Sequence, residues 1–194
     1  MVTWPLGEEL TEVRDALLTA YATDRGYHDT LHLTEVLERI DELASGGETF
    51  DGDAVRLAAW FHDAVYDGEP GAEERSARWA LAALADRSAA NEVARLVRLT
   101  EAHRPAEEDA NGCVLSDADL AILAAAPARY AEYVADVRRE YAHVPDDLFT
   151  AGRAAVLRDL LAKPSLFHTA PAQAHWEAKA RANVEAELGR LAPG

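Results

Sequence analysis

Along most of the chain, apolar residues return every three or four positions, the period of an α-helix with one buried face. Leu10, Val13, Leu17 and Leu18 make such a stripe in a helix expected over 7–23, ended by Asp24-Arg25-Gly26. A second stripe, Leu33, Val36, Leu37, Ile40 and Ala44, begins near His28 and stops at Gly46-Gly47. Asp51 suits the N-cap of a third helix, which carries Val55, Ala58, Ala59 and His62 inward. After the turn-rich stretch 66–71, helices are expected over 72–86 and 90–103. The acidic stretch 107–112 is expected to be a polar, mobile loop, followed by a short helix over 116–125 that Pro127 stops. Tyr130, Tyr133, Val134, Val137 and Tyr141 mark the next helix, and two more are expected over 147–162 and 172–191.

No run alternates apolar and polar residues as a half-buried strand does, and β-branched residues are sparse. The expected architecture is therefore all-α: a single compact helical bundle of about eight or nine helices, one domain over 1–194. Neither an internal repeat nor a linker divides it.

Composition narrows the partners. The 194 residues carry 19 basic and 35 acidic side chains, a formal charge of −16. Such a field argues against a nucleic-acid polymer or an anionic membrane surface, while a few local cations leave a small phosphorylated substrate open. Cys113 is the single cysteine, and no apolar run reaches the roughly 18 residues of a membrane span. The N-terminus lacks the pattern of a signal peptide, so the expectation is a cytoplasmic protein, with association into a homo-oligomer left open.

Chemistry concentrates at Trp60-Phe61-His62-Asp63-Ala64-Val65-Tyr66. His62 continues an inward stripe, and Asp63 stands near a helix C-terminus, where the dipole disfavours a carboxylate unless something positive lies close. His28 and His32 are four apart and share a helical face. His103 extends the stripe Val93, Leu96, Val97, Thr100. Asp117 and Asp119 open the expected short helix. Ser116 and Asp119 there fit a capping box, although Asp119 also shares an inward face with Ile122 and Leu123. Four of the seven histidines and two aspartates thus point inward from four helices, and a bound cation would satisfy them.

Taken in order, His32, His62-Asp63 and Asp119 resemble the H…HD…D signature of the HD superfamily of all-helical, metal-dependent phosphohydrolases. The segments YHDTLH (27–32), WFHDAVYD (60–67), EERSA (73–77), DADLAIL (117–123), RREY (138–141) and RANVEAEL (181–188) resemble the predicted phosphohydrolases of that superfamily with chains of this length. The resemblance spans 21–191, which would be the core of the domain. It implies His32, His62, Asp63 and Asp119 as ligands of a divalent ion (Mn, Fe, Co, Ni, Zn or Mg), with Asp119 preferred over Asp117. It implies His28 as proton donor to the leaving oxygen and His103 as a further phosphate or metal contact.

Three departures stand out: Asp29 where Asn is common, Ala72 where Asn is common, and Tyr66 in place of the glutamate of the HD 5′-nucleotidases. The expected reaction is hydrolysis of a phosphate ester by a metal-activated water whose pKa falls toward about 7. Asp63 would take a proton, and Arg138, Arg139 and Arg153 are candidates for phosphate. The resemblance also admits a non-catalytic nucleotide-sensing module and a di-iron oxygenase.

Overall fold

The computed structural model describes residues 2–191. Among them lie ten α-helices, one 3₁₀ turn and no strand, so the chain is all-α. In order these are α1 (Thr11–Tyr21), α2 (Thr30–Ser45), α3 (Gly52–Phe61), α4 (Ala72–Ala83) and α5 (Ala90–Leu99). There follow α6 (Ala110–Leu120), the 3₁₀ turn Ala121–Ala124, α7 (Pro127–Glu140), α8 (Asp146–Ala162), α9 (Ala170–His175) and α10 (Glu177–Leu191).

The centre is a packing of α2, α3 and α6 on one another, with α5 against α3 and α6 and α4 against α5. α3 supplies the largest anchors. Trp60 and Phe61 are fully buried, and Trp60 meets Trp4 edge-on at 4.9 Å between ring centroids. Burying side chains of this size stabilises by roughly 2–3 kcal/mol each. It also fixes the end of α3, from which His62 and Asp63 follow directly. α10 lies against the 3₁₀ turn and α8, with Ala180 and Val184 buried.

The structure shifts several expected boundaries. α5 ends at Leu99 because Thr100 turns its hydroxyl onto the Val97 carbonyl, and His103 then adopts a left-handed backbone at φ 49°. α6 begins at Ala110, not Ser116. Its N-cap is Asp109, whose carboxylate accepts from the Gly112 amide and pairs with Arg95. Most of the expected mobile loop is therefore helix and cap. Ser116 and Asp117 lie deep in the second half of α6, which removes the capping-box reading of Ser116 and Asp119. The expected last helix over 172–191 is two. The chain turns at Trp176, and the Glu177 carboxylate reaches back to accept from the Leu166 and Phe167 amides.

Candidate metal centre

His32 occupies the first turn of α2. Asp29 is the N-cap there, its carboxylate accepting from the amides of Leu31 at 2.8 Å and His32 at 3.1 Å. The departure from Asn at this position leaves a working cap, since either side chain presents the needed oxygen. His62 closes α3. Its Nδ1 lies 2.7 Å from the Ala59 carbonyl, which can only accept, so Nδ1 carries the hydrogen and neutral His62 directs the lone pair of Nε2 outward.

That lone pair meets the other ring. His32 Nε2 and His62 Nε2 stand 3.1 Å apart. Asp63 Oδ2 lies 3.3 Å from the first and 3.0 Å from the second. Asp119 Oδ1, from the last turn of α6, lies 3.2 Å and 3.6 Å from the same two nitrogens. Both imidazoles are 1% exposed and both carboxylates 13%. Among the described residues no arginine or lysine donates to any of these four side chains, so a proton or a bound cation must offset the converging nitrogen and oxygen lone pairs. His32, His62 and Asp119 form a cluster that could hold a metal ion.

The electrostatics carry the same imprint. Burial works against charge on both rings, yet the carboxylates Asp63 and Asp119 outweigh it and hold His32 and His62 above the ordinary imidazole pKa. Burial likewise opposes ionised Asp63 and Asp119, but the imidazoles hold both well below the carboxylate range. A divalent cation placed among these groups would replace the protons that otherwise bind there.

His28 sits just before α2, beside the cluster, its ring centroid 5.5 Å from that of His32. Its Nδ1 lies 2.7 Å from Glu140 Oε2, while Glu140 Oε1 accepts from the amides of Gly26 at 3.0 Å and His28 at 2.9 Å. Gly26 permits this contact. A Cβ there would meet the Asp136 carbonyl at 2.3 Å and Glu140 Cγ at 2.4 Å. Burial would raise the Glu140 carboxyl, yet its bonds from His28 bring it below its ordinary value. Tyr66 stacks on the His28 ring at 3.9 Å and 24°.

Arg25 ties the two segments together. Its guanidinium donates to the carbonyls of His28 at 2.8 Å, Asp63 at 2.6 Å and Ala64 at 3.1 Å. His103 joins the edge of the cluster, with Nε2 3.6 Å from Asp119 Oδ2 and Nδ1 3.3 Å from the Ser116 hydroxyl. Burial brings its pKa down.

The remaining candidates stand elsewhere. Asp117 faces away from the cluster and accepts from the His168 and Thr169 amides and the Thr169 hydroxyl, at 2.7–3.0 Å. Burial pushes its pKa up to about 6. Arg138 donates to the carbonyls of Tyr141 and Val144 and pairs with Asp146. Arg139 pairs with Asp136 and reaches the Gly26 carbonyl. Arg153 is bidentate to buried Glu187 and lies over the Tyr133 ring. None of the three donates to the cluster, and helical position alone could not show which partners claim them.

Sequence reasoning missed Arg25, Glu140 and Arg129. Glu140 lay within a noted motif, RREY, without a role. Arg25 stood in a stretch read only as a helix break. Arg129 pairs with Glu35 and lines a cavity of about 260 Å³ shared with His32 and Asp119. Its Nη1 is buried without a hydrogen-bond partner and lies 3.9 Å from Glu132 Oε2.

Comparison with known proteins adds no relative: no family model matches the chain, and no curated protein or solved structure is significantly similar to it.

Proposed function

We propose that this protein is a metal-dependent phosphohydrolase that cleaves a small phosphate ester. The observation that carries the reading is the convergence of two imidazole nitrogens and two carboxylates, from α2, the end of α3 and α6, with no arginine or lysine paired to them among the described residues. The order H…HD…D in which they occur, resembling the HD superfamily, supports the same reading. His32, His62, Asp63 and Asp119 would hold the ion, a mixed nitrogen and carboxylate set that suits several divalent metals. When bound, the ion supplies Lewis acidity to a phosphoryl oxygen and to the attacking water.

The chain's own groups provide the rest. Asp63 lies at the cluster with its side chain 13% exposed and would accept a proton from that water. His28 donates a hydrogen bond from Nδ1 to Glu140, and in its imidazolium form the Nε2–H would supply the proton to the departing oxygen. Glu140 fixes the orientation of the ring, as an orienting carboxylate does. Arg25 holds the two segments in register through their backbone carbonyls and touches no reacting atom. Arg129 lines the cavity beside His32 and Asp119 and, although paired with Glu35 and Glu132, adds a guanidinium on the side where a phosphoryl oxygen would lie.

Elemental analysis of the purified chain, joined to a panel of phosphomonoesters, phosphodiesters and nucleotides with several divalent metals, tests the reading. Bound metal and turnover are expected in the wild type, and His62→Ala should lose both. Full metal content and full turnover in folded His62→Ala would overturn the assignment.

A further inference from the structure

A second cavity opens on the other side of His28. It runs between α7 and α8, measures about 450 Å³, and is lined by Val137, Phe149, Leu148 and Val156 together with Tyr133 and Tyr141. That volume is within the range of small-ligand sites. Leu148 and Val156 stand on one face of α8, two turns apart with Gly152 between them. They are 62% and 55% exposed, two of three large apolar residues so exposed among the described residues. His28 and Tyr66 form its inner wall as a stacked pair, which offers the flat face of a phenol.

We propose that this groove receives the organic group of the substrate, and that this group is an apolar, ring-containing one. The inference rests on the phosphohydrolase reading above and adds the substrate class. Three observations carry it. First, the groove begins at His28, the residue placed to protonate the leaving oxygen, so whatever departs must lie on this side. Second, the groove holds no uncommitted cation: Arg153 lines it, but its guanidinium is bidentate to Glu187 at 2.7 Å and 3.1 Å. A second phosphate would find nothing to pair with there. Third, charge is divided across the cluster. Glu35, Arg39, Asp119 and Arg129 line the cavity on the His32 side, whereas the described residues lining the His28 side include no arginine, lysine or carboxylate other than Arg153, which Glu187 holds. A phosphoryl group at the cluster therefore leaves its ester substituent facing rings and aliphatic carbons, where apolar area is removed from water.

The test compares 2-naphthyl phosphate with glycerol 2-phosphate on the metal-loaded protein, using Leu148→Glu and Val156→Glu. Both positions are exposed, and circular dichroism checks the fold of each variant. The wild type is expected to prefer the naphthyl ester in kcat/KM by about tenfold or more, and each glutamate is expected to reduce that preference by about tenfold, mainly through KM. In parallel, calorimetry measures binding of 2-naphthylphosphonate to the metal-free protein, and the glutamate variants should bind it about tenfold more weakly. Hydrolysis with no naphthyl preference, or a preference that neither glutamate changes, would overturn the groove assignment and leave the phosphohydrolase reading standing. If no ester were cleaved, that reading would fail. The groove would then stand or fall on whether Leu148→Glu weakens phosphonate binding.

Discussion

Exchanging the Asp119 carboxylate for an amide removes one charge and one strong donor oxygen from the cluster and leaves the shape of α6 intact. Asp119→Asn is therefore expected to fold, to bind less metal by elemental analysis, and to hydrolyse slowly. Two positions earlier the consequence differs in kind. Asp117→Ala would strand the buried amide and hydroxyl of Thr169 and the half-buried amide of His168, at a cost on the order of 1–3 kcal/mol for each buried group left unpaired. Its expected signature is a lower melting temperature with metal content retained. A variant pair behaving the other way round would move the fourth ligand to Asp117. At this scale the meeting of His32, His62, Asp63 and Asp119 was legible from the resemblance of their order to H…HD…D, and the cost of leaving inward histidines and aspartates without a partner pointed the same way. The partners of Arg25 were not legible: they are backbone carbonyls, which no side-chain pattern marks, and two of them lie 38 and 39 residues away.

Among the elements, α2 was readable from its stripe because it buries one side and shows the other to water, and α3 from the Asp51 cap ahead of an apolar run. α6 was not. From Gly112 to Ala118 every residue is buried, so the helix shows no polar face and its apolar content carries no period. Its true cap, Asp109, was hidden in an acidic run that resembled a loop. The junction of α8, α9 and α10 turns on Glu177, which accepts from the Leu166 and Phe167 amides and the Ser165 hydroxyl and pairs with Arg181. Burial would raise this carboxyl, but those bonds hold it below its usual 4.5. A depressed folded-state value means the unfolded chain binds the proton more readily, so Glu177 stabilises above the ordinary carboxylate pKa and loses that contribution as pH falls through its folded value. Melting curves of the wild type and Glu177→Gln should therefore differ at pH 7 and converge toward acid. A constant difference down to pH 2 would show that Glu177 acts through shape and not charge.

For the whole molecule, the net charge of −16 repels any phosphorylated substrate before local groups can act on it. Salt shortens the reach of that repulsion, the Debye length falling from about 30 Å at 0.01 M to about 10 Å at 0.1 M. The expected result is that kcat/KM for an anionic ester rises over this range. A fall would mean that cations near the mouth, such as Arg129, govern the approach. The described helices include none long and apolar enough to cross a membrane. The donors at the centre of the molecule stand at positions 32, 62, 63 and 119 and meet only where α2, α3 and α6 have packed. An unfolded chain offers an ion little more than the adjacent pair His62-Asp63. Whatever binds the assembled cluster therefore draws the population toward the native state, by about 2.7 kcal/mol when present at a hundred times its dissociation constant. In a growing cell the supply of that ion would then bear on how long each copy of the protein survives.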